Sequence, residues 1–170
     1  MRCLRLLALL LASAPVHAGD WGPLQFLVGK WTGAGGGGPG QGNGAFSFTP
    51  DLQNQILVRR SFAAYPPADG KPAFRHDDLM IVYRDQASHD FHAIYFDSEE
   101  HTIQYLVKPV GGGVVFESAP APSTARYRMT YTSMSDSATG APAAKFKFEI
   151  APPGKDFTTY IEASLRRENP

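Results

Sequence analysis

Residues 144–150 read Ala-Lys-Phe-Lys-Phe-Glu-Ile, a strict alternation of apolar and charged side chains. Because successive side chains of a β-strand point to opposite faces, Phe146, Phe148 and Ile150 share one face of an extended segment. The turn residues Pro152-Pro153-Gly154 follow, and residues 157–166 then alternate again. Half-buried strands joined by a short turn are typical of antiparallel sheets, and this stretch therefore predicts one.

Short strand-like segments separated by turn residues continue through most of the chain. A first strand is predicted around Trp31, and others at residues 45–49, 55–62, 78–83, 90–96, 102–108, 113–117, 125–132, 144–150 and 157–166. One short helix is predicted at residues 21–28, with Asp20 as its N-cap and Gly29 at its end. About ten short antiparallel strands with a single short helix indicate an all-β barrel or sandwich.

A glycine-rich segment separates the first two predicted strands. Eight of the twelve positions from Gly33 to Gly44 are glycine, which suggests a phosphate-binding loop at first sight. That motif requires a following Gly-Lys-Ser/Thr and the start of a helix, and the sequence contains neither at this place. We therefore expect a mobile connection between two strands.

The first eighteen residues have the pattern of an export signal. Arg2 and Arg5 precede the apolar residues 6–12, and Val16-His17-Ala18 resembles a cleavage site. Removal of residues 1–18 would leave a single domain at residues 19–170, periplasmic or secreted, without the only cysteine, Cys3. It would carry 14 basic and 16 acidic residues, a net charge of −2, which excludes the basic footprint of a nucleic-acid-binding protein. No later segment is apolar enough to predict insertion into a membrane.

Two short motifs carry a resemblance to a known group of proteins. Gly29-Lys30-Trp31 opens the first strand, and Leu165-Arg166-Arg167 ends the last. A Gly-x-Trp followed by an arginine on the last strand resembles the signature of lipocalin-like (calycin) barrels. The resemblance implies that Trp31 closes one end of a barrel and that Arg166 or Arg167 lies across its ring as a cation–π contact.

Longer stretches resemble two kinds of protein within this group. Residues 26–35 and 160–167 resemble nitrobindin-type barrels, which bind haem. Residues 95–103, Tyr-Phe-Asp-Ser-Glu-Glu-His-Thr-Ile, resemble small secreted bacterial lipocalin-like proteins of unknown function. Tyr160 stands where nitrobindin-like sequences carry the haem-ligating histidine, and tyrosinate also ligates ferric haem. The resemblance thus implies haem, held by Tyr160, as an alternative ligand.

Other residues are candidates for binding a small molecule. Arginine combined with tyrosine inside a barrel offers a guanidinium fork and hydroxyl donors to an acidic head group. The candidates are Arg59, Arg126, Arg128 and Tyr160, with Tyr95 and Tyr105 as further cavity residues. The alternation leaves open which face of residues 126–131 points inward, since Tyr127, Met129 and Tyr131 would fill a core equally well.

No catalytic constellation and no metal site can be named. His76-Asp77-Asp78 could orient a general base, but adjacent strand residues point apart, and no serine lies in a Gly-x-Ser-x-Gly motif. The sequence therefore favours a non-enzymatic, exported barrel without a resident cofactor, binding a small, largely apolar ligand, with an acidic head group as a further expectation. A haem protein acting on reactive nitrogen or oxygen species and a ligand-free interaction domain of the cell envelope are the alternatives. Whether the protein is a monomer or a homo-oligomer stays open.

Overall fold

A computed structural model describes residues 21–68, 70–120 and 123–168. The short 3-10 helix η1 spans Gly22–Leu27. Ten strands follow: β1 (Gly29–Gly37), β2 (Gly42–Asp51), β3 (Ile56–Tyr65), β4 (Phe74–Arg84), β5 (Phe91–Asp97), β6 (Thr102–Val110), β7 (Gly113–Ser118), β8 (Arg126–Ser135), β9 (Pro142–Ala151) and β10 (Thr158–Arg167). The expected export signal and the N-cap Asp20 lie outside the described residues. No helix in the described part of the chain is long and apolar enough to cross a membrane.

The ten strands form one closed antiparallel barrel. Each strand pairs with its neighbours along the chain, and β1 pairs with β10, where Trp31 lies opposite Arg167. Short connections between consecutive strands make this up-and-down arrangement the simplest way to close the sheet. The prediction of an all-β antiparallel barrel of about ten strands with a short N-terminal helix is therefore confirmed, and the architecture is consistent with a lipocalin-like barrel.

Helix η1 packs against β7 and is hydrogen-bonded to β1. Its Leu24 and Leu27 are fully buried, and the indole Nε1 of Trp31 donates a hydrogen bond to the Leu27 carbonyl oxygen at 2.9 Å. The helix ends at Leu27 because Val28 is already extended, with φ −60° and ψ 125°, and Gly29 then adopts a φ of +123°, which favours glycine. Trp31 is thus fixed at one end of the barrel by the helix that precedes it.

The two chain ends are joined by a contact that differs from the expected one. Arg167 donates a hydrogen bond from Nη2 to the Val28 carbonyl oxygen at 2.6 Å, and its guanidinium lies beside Gly29. The cation–π contacts found among the described residues involve Arg59, Arg75, Arg84, Arg126 and Arg128, not Arg166 or Arg167. A carbonyl acceptor therefore takes the place of the Trp31 ring, and the first and last strands are still tied together.

Along its axis, the barrel interior has one half filled by side chains and one half that is open. At the end covered by η1, fully buried apolar side chains fill the space; they are Leu24, Leu27, Trp31, Phe48, Leu57, Met80, Val82, Val114 and Phe116. The β1–β2, β3–β4 and β5–β6 connections lie at the opposite end. The closely packed half provides the hydrophobic core that stabilises the fold. The other half is not needed for this packing and can hold a site.

The glycine-rich segment belongs mainly to strands, which corrects the expectation of a mobile connection. Gly33 to Gly37 lie in β1, and Gly42 and Gly44 lie in β2. A Cβ at Gly35 would collide with the backbone of Glu162 and Ala163, and one at Gly44 would collide with the Phe62 carbonyl oxygen. Glycine is needed here because neighbouring backbone approaches closely, a reason that outweighs its low strand propensity.

Candidate ligand-binding site

A cavity of about 380 Å³ occupies the half of the barrel opposite η1. Pockets that bind small molecules commonly have volumes of about 300–1,000 Å³. One side of the cavity is formed by Gly33, Gly35, Gly42 and Gly44. The glycine-rich strands therefore form part of the wall of the site.

The rest of the cavity wall is mostly apolar and aromatic. The rings of Phe46, Tyr105, Tyr131 and Phe148 all border the cavity, with Met129, Ile103 and Ala163 between them. Several rings meet edge to face, for example Tyr95 and Tyr105 with centroids 6.2 Å apart and planes at 87°. Such contacts add stability beyond burial alone and hold the rings in place. The wall is thus suited to an apolar ligand body.

An ion pair lies inside this apolar wall. Arg59 on β3 is paired with Asp78 on β4, and both side chains are less than a tenth exposed. Arg59 also donates from Nη2 to the Ser61 hydroxyl oxygen at 3.0 Å. Burial, the largest single effect, would lower the pKa of Arg59, but the charge of Asp78 together with Tyr131 and Tyr95 outweighs it, so the pKa is raised. The guanidinium is therefore permanently charged and neutralised by its partner.

Two polar groups beside this ion pair are buried against each other. Within the described residues, Arg59 Nε and the Tyr131 hydroxyl oxygen have no hydrogen-bond partner besides one another. The two side chains are close enough to share a hydrogen bond, and both residues border the cavity. Burial raises the pKa of Tyr131, so its hydroxyl keeps its proton. A tyrosine hydroxyl oxygen accepts hydrogen bonds, so Tyr131 can satisfy the Arg59 Nε–H donor.

Histidine–carboxylate pairs surround the mouth of the cavity. His76 bonds through Nδ1 to Glu99 at 2.7 Å, and its Nε2 lies 2.8 Å from the Tyr95 hydroxyl oxygen. A neutral imidazole that donates from Nδ1 to Glu99 accepts at Nε2 from Tyr95. Burial raises the pKa of Tyr95, with Asp78 acting in the same direction, so the tyrosine stays a donor.

A second pair closes the β5–β6 turn. Asp97 accepts hydrogen bonds from the backbone N–H groups of Glu99 and His101, at 2.9 and 3.0 Å, and from His101 Nδ1 at 2.9 Å. Although burial opposes it, this set of donors holds the pKa of Asp97 below its ordinary value. The carboxylate therefore fixes the shape of the turn that carries Glu99 and His101.

The structure brings together four of the six candidate ligand residues. Arg59, Tyr95, Tyr105 and Tyr160 all border the cavity. Tyr160 lies at its rim, 40% exposed, where the pairing of β10 with β9 shifts between Thr159 and Ile161. Such a bulge re-aims a side chain, which explains how Tyr160 and Ile161 both reach the cavity.

Arg126 and Arg128 lie away from the cavity, on the outer face of β8. Arg128 pairs with Glu149, at 2.8 Å from Nε to Oε2, and both guanidinium groups cover the ring of Phe157. The opposite face of β8, with Tyr127, Met129 and Tyr131, points into the cavity. The open question of the orientation of β8 is thereby answered, and the two arginines leave the candidate set.

Sequence reasoning overlooked two residues of the site, Asp78 and Tyr131. A signal was present for Asp78, because His76 and Asp78 are two residues apart and so share a strand face. Sequence reasoning weighed only adjacent residues of His76-Asp77-Asp78, whose side chains point to opposite faces of a strand. For the described residues, no group of three or more histidine, cysteine or carboxylate side chains forms a metal site.

Comparison with known proteins gives information on the fold. No family model matches the chain, and no curated protein matches it significantly. The barrel is similar to the crystal structure of Rv2717c from M. tuberculosis, with a TM-score of 0.57 and 15% sequence identity, over 92% of this chain and 99% of that chain. At this identity the similarity supports a shared barrel architecture and nothing more specific.

Proposed function

We propose that this protein binds a small, largely apolar molecule in the open half of its barrel. The observation that carries the proposal is a cavity of about 380 Å³ that combines an apolar, aromatic wall with a few polar groups beside Arg59. Small-molecule sites have this composition, in which apolar surface provides affinity and a small number of polar groups fix orientation. A barrel filled by side chains would have no such space.

The acidic head group expected from the sequence has less support. It depended on three arginines, of which only Arg59 borders the cavity. Asp78 already neutralises Arg59, so no uncompensated positive charge is available from it. The proposal therefore keeps the apolar body of the ligand and places its polar end beside Arg59.

Binding of the apolar fluorescent probe N-phenyl-1-naphthylamine tests this function. Ala63 borders the cavity and the next residue on β3, Ala64, does not, so Ala63→Phe and Ala64→Phe form a matched pair. We expect the native protein to bind the probe, Ala63→Phe to weaken binding at least about tenfold by filling space, and Ala64→Phe to leave it unchanged. Absence of binding to the native protein, or equal affinities of the two variants, would contradict the proposal. Mass spectrometry of material extracted from the purified protein would identify a co-purified ligand.

Haem is a second candidate because Tyr160 lies at the cavity rim. A tyrosinate there could serve as an axial ligand. The cavity beneath it holds a buried ion pair and several tyrosine hydroxyls, a lining that fits a flat apolar porphyrin less well than a smaller ligand. A haemin titration separates the candidates: a Soret shift that disappears in Tyr160→Phe would favour haem. No Tyr160-dependent shift is expected for the ligand proposed above.

We propose that the chain reaches the periplasm or the exterior of the cell through residues 1–18. This proposal is supported by the order of charged, apolar and small residues in that segment. Mass spectrometry of the protein expressed in its native host should show a mature chain beginning at Gly19. An intact Met1 start in the cytoplasmic fraction would contradict it.

A further inference from the structure

The outer surface of strands β3 to β6 is apolar, although it faces away from the cavity. The inward-pointing side chains of these strands, such as Met80 and Tyr95, are buried in the core. The outward-pointing side chains between them are also mostly apolar, and Phe96 among them is 41% exposed. Antiparallel strands with one face toward water usually alternate apolar inside with polar outside, so these four strands depart from that pattern.

Strand register gathers the outward side chains into one continuous surface. Val58, Ile81 and Ile94 lie side by side across β3, β4 and β5. The row nearer the open end contains Leu79 and Phe96, and the row nearer η1 contains Ile56, Tyr83, His92 and Leu106. Together these side chains form the outer apolar face, and none of them belongs to a lysine, arginine, aspartate or glutamate.

The opposite side of the barrel has a polar outer surface. Outward positions of β9 and β10 carry charged side chains, among them Lys145, Lys147 and Glu162. The described elements leave the outer apolar face uncovered, because the strands contact their neighbours in the barrel and η1 packs mainly against β7. A contiguous apolar patch of this kind marks an interaction site, whereas single scattered apolar residues do not.

The size of the outer apolar face agrees with that of a protein–protein interface. Four neighbouring strands spaced about 4.8 Å apart, with about six residues each at about 3.4 Å, cover roughly 400 Å². Six strands with about eight residues each, which include polar residues of β2 and β7, cover roughly 800 Å². An interface of standard size buries about 800 Å² per partner, with an apolar centre and a polar rim.

Opposite charges lie at two corners of the outer apolar face. Arg60 on β3 pairs with Leu79, and Glu117 on β7 pairs with Leu106. By register, Ile94 lies midway between these two corners. A twofold axis that lies in the interface, passes through Ile94 and is perpendicular to the line between the corners therefore directs Arg60 of each copy toward Glu117 of the other.

We propose that the outer apolar face joins two copies of this chain in a twofold-symmetric homodimer. A second copy presents the same uncharged apolar surface and the complementary corner charges, whereas a charged partner or an anionic lipid surface finds no cluster of opposite charge here. The stacked rings of Tyr83 and His92, with centroids 5.9 Å apart, provide aromatic contacts of the kind that dominate interface energetics. Contact through the side of the barrel leaves both cavity mouths open, so the inference does not depend on the proposed function.

Sedimentation velocity of the purified protein between about 1 and about 100 µM tests the inference. We expect a dimer with a dissociation constant in the micromolar range or below. Ile94→Glu places a carboxylate at the twofold axis, where it meets its own copy, and should raise the dissociation constant at least about thirtyfold. Ser164→Glu on the outer surface of β10, opposite Lys145, is the matched control and should leave it unchanged. Circular dichroism and thermal unfolding establish whether both variants fold.

Thiol labelling identifies the surface directly and decides the matter if Ile94→Glu does not fold. In a Cys3→Ser background, Phe96→Cys should react with a thiol reagent at least about fivefold more slowly at about 100 µM protein than at about 1 µM. Ser164→Cys should react equally fast at both concentrations.

A native protein that is monomeric at about 100 µM would overturn the proposal, as would a dimer that a folded Ile94→Glu variant does not weaken. Two monomeric outcomes would assign the face to another occupant. A Phe96→Cys thiol that is protected at every concentration would indicate the leading residues of the same chain. Flotation of the monomer with phosphatidylglycerol vesicles would indicate a lipid surface.

Discussion

Arg59 and Asp78 are ion-paired in the interior of the barrel, on adjacent strands, with only 7% and 6% of their side chains exposed. Register explains the contact: Ser61 lies directly opposite Asp78, which places Arg59 diagonally across on the same face. A buried ion pair stabilises a fold less than apolar packing of the same volume, so its presence requires another explanation. The proposed ligand site provides one, because both residues of the pair belong to the lining of the cavity.

Disrupting one half of the pair should be costly. Asp78→Asn leaves the Arg59 guanidinium buried without its counter-charge, and we expect the free energy of unfolding to fall by about 3–5 kcal/mol. The double variant Arg59→Met with Asp78→Asn removes both charges and should lose less than the sum of the two single variants. Urea denaturation of all four proteins measures the coupling, and additive losses would show that the two charges do not interact.

A methyl group at Gly35 should destabilise the barrel. Its Cβ would collide with the backbone of Glu162 and Ala163 on β10, so we expect Gly35→Ala to lower the free energy of unfolding by about 1–3 kcal/mol. Gly111→Ala is a suitable control, because nothing lies within 4 Å of that position and its φ is not positive. Thermal unfolding of both variants provides the measurement, and equal shifts in Tm would contradict the role given to the glycine-rich wall.

The two tryptophans, Trp21 and Trp31, should contribute differently to the free energy of unfolding. Trp31→Phe removes the hydrogen bond to the Leu27 carbonyl oxygen, leaves that buried oxygen unpaired and opens a void; we expect a loss of about 2–4 kcal/mol. Trp21 is also buried, but in the described structure its Nε1 has no partner, so Trp21→Phe should cost less. Urea denaturation would contradict this account if the two substitutions had the same effect.

The turn at Asp97 predicts a pH-dependent contribution to stability. Because the pKa of Asp97 is lower in the folded state than in the unfolded chain, its ionised form stabilises the fold above about pH 4. This contribution is lost as the pH falls through the depressed pKa of the folded state. Asp97→Asn should therefore lower the free energy of unfolding by about 1–2 kcal/mol at pH 7, with a smaller difference near pH 2.

The exposed Asp156→Asn variant serves as the control for this experiment, since that side chain lies in the connection before β10. Denaturation curves at several pH values give the loss in the free energy of unfolding for Asp97→Asn and for Asp156→Asn relative to the native protein. A difference between native protein and Asp97→Asn that stays constant with pH would exclude the carboxylate as its origin.

The fold followed from the sequence more completely than the site did. Alternation at residues 144–150 and 126–131 was enough to predict strands because it depends only on local geometry. The glycine-rich strands were missed because the need for glycine at Gly35 and Gly44 arises from the close approach of neighbouring strands. The pairing of Arg59 with Asp78 depends on the register of β3 and β4, which local alternation does not determine.

Closure of the sheet through β1 and β10 has a consequence for damaged or truncated forms of the chain. In the described structure all ten strands have two neighbours, so no row of backbone N–H and C=O groups is left for another molecule to pair with. Loss of β10 alone would expose two such edges at once, on β1 and β9, and would open the apolar interior between them. A chain shortened before Thr158 should consequently self-associate, which makes the last ten-residue strand a safeguard against aggregation as well as a wall of the cavity.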